Sequence, residues 1–283
     1  MDFTRRRFLA GLSGVGVAAA GGAGVLSAAR YHGVRRALHS VGIVSGPDRS
    51  LPQVDAEVTY GVLPSAFFDR PGYGLYLPPQ PAKTQAVLYC LHGRGGSHHD
   101  VFDALGVHRF VAAAKLPWAV AAVDGGQSFW HARADGTDTR RMLFEEFIPL
   151  VEGRVSFARR VAIGWSMGGF GVLAASLARP AVFDVVVASS PSLWPTYASA
   201  PAGAFDGQSD LDANDVLHHA AALAVRPVRV DCGEDDVFAG AVRELGRRAP
   251  AADVTVRPGF HENATWRSYL PAQLDFVRRS LGP

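Results

Sequence analysis

The chain has 283 residues, 48% of them hydrophobic and 19% charged, enough for one large domain with a sizeable core. That composition excludes a disordered chain, a collagen-like chain and a disulfide-stapled mini-protein. Lys plus Arg is 28 against 26 Asp plus Glu, and the excess of two lies in Arg5, Arg6 and Arg7 set against Asp2. No large basic field is left to attract nucleic acid.

The first 29 residues read as an address. Thr4-Arg5-Arg6-Arg7-Phe8-Leu9 places a twin arginine ahead of an uncharged run from Phe8 to Ala29. The pattern resembles a twin-arginine (Tat) export signal. Six glycines keep the run only mildly hydrophobic, which suits this class better than a strongly apolar signal. Leu26-Ser27-Ala28-Ala29 offers small residues for cleavage. If left uncut, the run is long enough to cross a hydrocarbon core of about 30 Å as an anchor. The expectation is therefore a secreted or cell-envelope protein whose membrane contact is confined to this segment. Arg30 to His39 is basic and unpatterned, a linker or a surface helix at the membrane face. Residues 30–50 are expected to link the address to a domain over 51–283. Cys90 and Cys232 are the only cysteines. Both lie in apolar strand-like runs and are expected as buried thiols, with no Cys/His spacing for a metal.

After residue 50, short apolar runs alternate with helical patterns. Val54–Val62 and Tyr73–Leu77 suggest an antiparallel opening pair. The later strands are expected at Ala86–Leu91, Trp118–Val123, Arg160–Gly164, Val182–Ser189, Val228–Cys232 and Asp253–Arg257. Four of these runs are nearly continuous in apolar residues, as in strands covered on both faces. Helical spacing occurs over Val101–Ala114, Thr139–Glu152, Met167–Ala178, Phe238–Arg248 and Trp266–Leu281. This alternation predicts an α/β fold, a mostly parallel doubly wound sheet with helices on both faces. Ser192 to Asp215 is the longest irregular stretch, where a cap over a site could lie.

Gly164-Trp165-Ser166-Met167-Gly168-Gly169 stands between a strand and a helix, the setting that a Gly-x-Ser-x-Gly nucleophile elbow requires. Small residues two positions either side let the strand and helix pass, and the serine projects at the positive end of the helix dipole. Ser166 is thus the candidate nucleophile. His92-Gly93-Arg94-Gly95-Gly96 follows the strand Ala86–Leu91 and can aim backbone N–H groups at an oxyanion. The candidate donors are the amides of Arg94 and Met167. His92 precedes the nucleophile and is read as a brace for that loop. A serine needs a base, and the base needs an orienter. Gly233-Glu234-Asp235-Asp236 ends a strand and offers Asp236, with Asp235 as rival. His261 is the only histidine after these acids and is the candidate base. The order Ser166, Asp236, His261 is the α/β-hydrolase order. The pairs His98-His99 and His218-His219 are expected on helix surfaces. Trp130 and His131 follow the strand Trp118–Val123 at its carboxyl end and, with Trp165, are candidates to line the substrate pocket.

These marks resemble the esterase family of α/β-hydrolases that groups esterase D-like enzymes, feruloyl-esterase-type enzymes and mycobacterial mycolyltransferases. The resemblance runs from Ala86 to Leu281. It rests on Gly164-Trp165-Ser166-Met167-Gly168-Gly169-Phe170-Gly171, on Gly233-Glu234-Asp235-Asp236, and on Gly259-Phe260-His261 followed by Trp266. It implies an α/β-hydrolase fold, Asp236 as the acid and the Arg94 amide as an oxyanion donor. An apolar residue is commoner than Arg at position 94, so the guanidinium would narrow the pocket or greet an anionic substrate. The elbow is closer to the esterases than to the mycolyltransferases. The function expected is a serine esterase acting on a small-molecule or lipid ester through an acyl-enzyme, without cofactor or metal. The alternatives are a cell-envelope acyltransferase with a sugar or lipid hydroxyl as acceptor, and a non-catalytic envelope protein of the same fold.

Overall fold

In the computed structural model the described residues are 28–155 and 159–282. The expected Tat-like segment, residues 1–29, lies outside them except for Ala28 and Ala29. Eight strands form one sheet in the order β1-β2-β4-β3-β5-β6-β7-β8. They are β1 (Val58–Val62), β2 (Gly72–Tyr76), β3 (Ala86–Leu91), β4 (Trp118–Val123), β5 (Arg159–Trp165), β6 (Val185–Ser189), β7 (Val228–Gly233) and β8 (Asp253–Arg257). β1 pairs antiparallel with β2, and β2 with β4. Every pairing from β4 across to β8 is parallel.

The residues of β3 and β4 show why these runs are strands rather than helices. Both are buried along their whole length. Alternate side chains enter opposite layers, because successive Cβ atoms in a strand point to opposite faces. Val87, Tyr89 and Leu91 join one core, and Ala86, Leu88 and Cys90 join the other. Cys90 and Cys232 are both free and buried. They fall in different cores, Cys90 in one and Cys232 in the other, so the sheet itself separates the two thiols.

The α-helices of five residues or more among the described residues are α1 (Ala28–Ser40), α2 (Val107–Ala113), α3 (Ile148–Glu152), α4 (Met167–Ala178), α5 (Gln208–Asn214), α6 (Ala239–Arg248) and α7 (Asn263–Leu281). α4 and α6 pack on the face that carries Val87 and Tyr89. α2 and α7 cover the other face. α4 is buried continuously from Met167 to Ser176. Each large apolar side chain so covered contributes on the order of 2 kcal/mol relative to exposure.

Several expectations need correction. The pattern over Val101–Ala114 is two elements: a wide turn, Asp100–Ala104, and α2. Gly106 lies between them at φ 63°, a left-handed conformation that ends one helical segment and starts another. The strand expected from Val182 begins at Val185, because Val182 closes a turn onto the Arg179 carbonyl. Ser192 to Asp215 is not wholly irregular, since it contains Tyr197–Ser199 and α5. Arg30 to His39, read as a linker or a surface helix, lies within the helix α1, in keeping with the second alternative. Among the described residues no helix is long and apolar enough to cross a membrane.

Candidate active site

The site is assembled at the carboxyl ends of β3, β5, β7 and β8, where a parallel sheet presents its loops. β5 runs into α4 through Ser166, which adopts φ 54° and ψ −116°. A non-glycine residue in this region costs about 1–3 kcal/mol and persists only where its surroundings enforce it. Here the Ser166 N–H donates to the Ser189 carbonyl at 2.9 Å, and the Ser166 carbonyl accepts from the N–H groups of Phe170 and Ser192, both at 3.0 Å. The glycines of the elbow are required by contact. A Cβ at Gly164 would meet the backbone of Gly168, and one at Gly168 would meet the carbonyl of Leu91 at the end of β3.

The Ser166 hydroxyl lies 2.9 Å from His261 Nε2. His261 Nδ1 lies 2.8 Å from Asp236 Oδ2. With Nδ1 protonated, the ring donates to the carboxylate and leaves Nε2 as the acceptor for the serine proton. Asp236 is fully buried, and its other oxygen accepts from the Phe238 N–H at 2.8 Å. The histidine ring stands edge-on to Phe238 and Trp266, at 5.4 and 5.0 Å between centroids. Asp235, the rival acid, faces away from His261. Its carboxylate is 2.6 Å from His32 Nδ1 and 2.6 Å from Arg35 Nε.

The glycine loop after β3 runs beside the serine. A Cβ at Gly93 would sit 3.4 Å from that of Ser166. Neither the Arg94 nor the Met167 main-chain N–H donates to an acceptor among the described residues. The Arg94 side chain is turned to the loop after β4, where its Nε donates to Gln127 at 3.1 Å. His92 braces the loop: Nδ1–H donates to the Gly93 carbonyl at 2.8 Å, and Nε2 accepts from the Gly125 N–H at 2.9 Å. Burial pushes its pKa below the ordinary imidazole value, which suits one donating and one accepting nitrogen.

A cleft of about 260 Å³ opens over the serine, lined by Arg94, Trp165, Ser166, His261, Asn263 and Trp266 among others. Trp165 is fully buried and its indole N–H has no acceptor among the described residues. Trp130 and His131 do not join this wall. Both are buried. Trp130 packs against Gly125 and Gly171, and the His131 ring stacks on Phe205 at 5.3 Å with its nitrogens 2.9 and 3.1 Å from the carbonyls of Ala132 and Ala204. Residues 128–131 fold inward as core, and neither side chain lines the cleft. His98 is a second correction. It is buried and held 2.8 Å from Asp124, whereas His218 and His219 are exposed as expected, though on a turn rather than a helix. No group of three His, Cys, Asp or Glu suited to a metal ion occurs among the described residues.

Two features escaped sequence reasoning. The Ser192 hydroxyl stands 3.2 Å from that of Ser166; its only signal was a Ser-Ser-Pro-Ser run leaving β6 beside β5. The grip of α1 on the loop of Asp235 left no local pattern.

A strained serine above a parallel sheet, with an imidazole and a buried carboxylate in line, defines the serine-hydrolase class of α/β fold. Residues 66–277 match the family described as Putative esterase, and the chain belongs to that family and so to the carboxylic ester hydrolases. Among solved structures it is similar to a ferulic acid esterase, at 23% identity and TM-score 0.69, over 80% of this chain and 99% of that one. It is also similar to an S-formylglutathione hydrolase from Agrobacterium tumefaciens, at 18% and 0.68, over 83% and 100%. A third is MPT51 (FbpC1) from Mycobacterium tuberculosis, at 16% and 0.65, over 81% and 100%. At these identities the likeness shows the α/β-hydrolase fold. No curated protein matches the chain.

Proposed function

We propose that the chain is an exported serine esterase that cleaves carboxylic esters through an acyl-enzyme on Ser166. The observation that carries this reading is the unbroken line of contacts from the Ser166 hydroxyl through His261 to Asp236, at 2.9 and 2.8 Å. The Ser166 oxygen attacks the ester carbonyl carbon while His261 Nε2 takes its proton. Asp236 holds the Nδ1–H tautomer and stabilises the imidazolium that forms. The N–H groups of Arg94 and Met167 receive the developing oxyanion, a stabilisation typically of about 3–4 kcal/mol per donor. Collapse of the tetrahedral species expels the alcohol, which takes the proton from His261. Water, deprotonated by the same imidazole, then attacks the acyl carbon, and the acid leaves with Ser166 restored.

The Thr4–Leu9 motif and the uncharged run behind it support export. The cleft is lined by indole and aliphatic surface with Arg94 and Asn263 at hand, which suits a small ester of mixed polarity.

The test is hydrolysis of a graded panel of p-nitrophenyl esters by the full chain. Turnover by the wild type and loss of about 10⁴-fold or more in kcat/KM for Ser166→Ala is expected. Equal rates for the two proteins would exclude this mechanism.

A further inference from the structure

α1 grips both loops that carry the acid and the base. The Arg36 guanidinium forks across consecutive backbone carbonyls: Nε donates to Asp235 O at 2.6 Å and Nη2 to Asp236 O at 2.9 Å. His32 Nδ1 and Arg35 Nε each stand 2.6 Å from the Asp235 carboxylate. On the neighbouring loop the His39 ring lies flat on Phe260, with centroids 4.0 Å apart and planes 7° from parallel. His39 Nε2 is 3.3 Å from Glu262. The segment after the helix adds a bond from the Gly46 N–H to Glu262 at 3.2 Å. The residues held are 235, 236, 260 and 262, which bracket Asp236 and His261.

Charge explains why such a grip matters. Asp235 and Asp236 are adjacent and both buried. A buried carboxylate without a partner is strongly unfavourable. Asp236 has His261 and the Phe238 N–H. Asp235 draws its charged partners from α1, with which its carboxylate is paired. Without them the Asp235 carboxylate would be buried unpaired beside Asp236 and would have reason to compete with it for His261. The fork on the two carbonyls fixes the peptide that decides which carboxylate faces the imidazole. A planar guanidinium presents its donors in a rigid fork that holds two such acceptors in one geometry, which a rotatable ammonium does not.

We infer that Arg36, together with His32 and Arg35, positions the Asp236–His261 pair, so that the helix joining the export segment to the domain sets the turnover of the enzyme. Arg36 is a positioning residue, acting through the Asp236 backbone. This inference rests on the esterase reading for its kinetics, but its geometric part is independent of it.

The experiment uses the full chain and the variants Arg36→Met, Arg36→Lys and a His32→Gln/Arg35→Met double. It reads kcat and KM on p-nitrophenyl acetate, the melting temperature, and the deshielded proton resonance of His261 Nδ1–H. Arg36→Met is expected to lower kcat by about tenfold or more, as a displaced catalytic group does, with KM within about twofold and the resonance lost or broadened. Arg36→Lys, which keeps the charge but loses the rigid fork, should fall between wild type and Met, and it carries the test if the Met variant does not fold. A kcat within about twofold of wild type in Arg36→Lys and the double variant, with the resonance unchanged, would overturn the inference. If the wild type cleaves no ester, the esterase reading fails and the resonance alone decides the positioning role.

Discussion

The Ser192 hydroxyl lies 3.2 Å from the Ser166 hydroxyl, and the Ser192 N–H donates to the Ser166 carbonyl at 3.0 Å. The Ser166 hydroxyl is therefore held from two sides, by His261 and by a serine that follows β6. Replacing Ser192 by Ala leaves the backbone bond and removes the hydroxyl. The expected outcome is a fall of about two- to tenfold in kcat/KM, the scale of one neutral hydrogen bond at about 1 kcal/mol, with little change in melting temperature. Steady-state kinetics and a thermal melt check both.

Asp235 and Asp236 should separate cleanly by mutation. Asp236→Asn keeps the shape but favours the wrong imidazole tautomer, and kcat should fall by about 10³–10⁴-fold. Asp235→Asn removes a charge that is paired with His32 and Arg35, and its effect on kcat should be far smaller. Parallel kcat measurements of the two variants decide it; a larger loss for Asp235→Asn would reverse the assignment.

The Arg94 side chain and its amide have different predicted parts. Arg94→Ala keeps the N–H and should leave kcat within about threefold, while KM changes for anionic esters. Arg94→Pro removes the N–H donor and should lower kcat by about 10²–10³-fold. The comparison of the two kcat values on one neutral ester tests whether the amide matters.

His108 makes stability depend on acid. It is buried, with Nδ1 unpaired among the described residues. Burial, and then the neighbouring Arg109, push its pKa down to about 4, opposed by Asp103. An unfolded imidazole titrates near 6.5. Between these values the unfolded chain binds a proton that the folded chain refuses, so stability is whole above about pH 6.5 and falls as pH drops toward 4, by up to about 3 kcal/mol from this group. Denaturant melts at pH 7 and pH 4.5 should show a smaller difference in His108→Leu than in the wild type.

Gly168 admits no side chain, because a Cβ would meet the Leu91 carbonyl. Gly168→Ala should cost about 4 kcal/mol or more, seen as a large drop in melting temperature or as failure to recover folded protein.

Legibility in the sequence followed the range of the forces involved. β3 and β4 match their apolar runs residue for residue, since a strand buried on both faces leaves no polar interruption; β8, a half-buried edge strand, was legible from its alternating pattern instead. The elbow was legible because steric contact at Gly164 and Gly168 dictates residue type at fixed spacing. Asp236 and His261 were legible through their places after β7 and β8, though only geometry separates Asp236 from Asp235. Trp130 and His131 misled because an aromatic, charged loop has the same composition whether it faces a pocket or folds inward on Phe205. Arg36 was invisible, since its partners lie about 200 positions away and no local periodicity records them.

The central claim is that Ser166 carries the covalent chemistry. The most direct measurement is treatment of the full chain with a fluorophosphonate probe, followed by intact-mass and peptide-mapping spectrometry. The account predicts one adduct per chain, mapped to Ser166, with none in Ser166→Ala and slow labelling in His261→Ala. An unlabelled wild type, or an adduct of equal yield in Ser166→Ala, would contradict it.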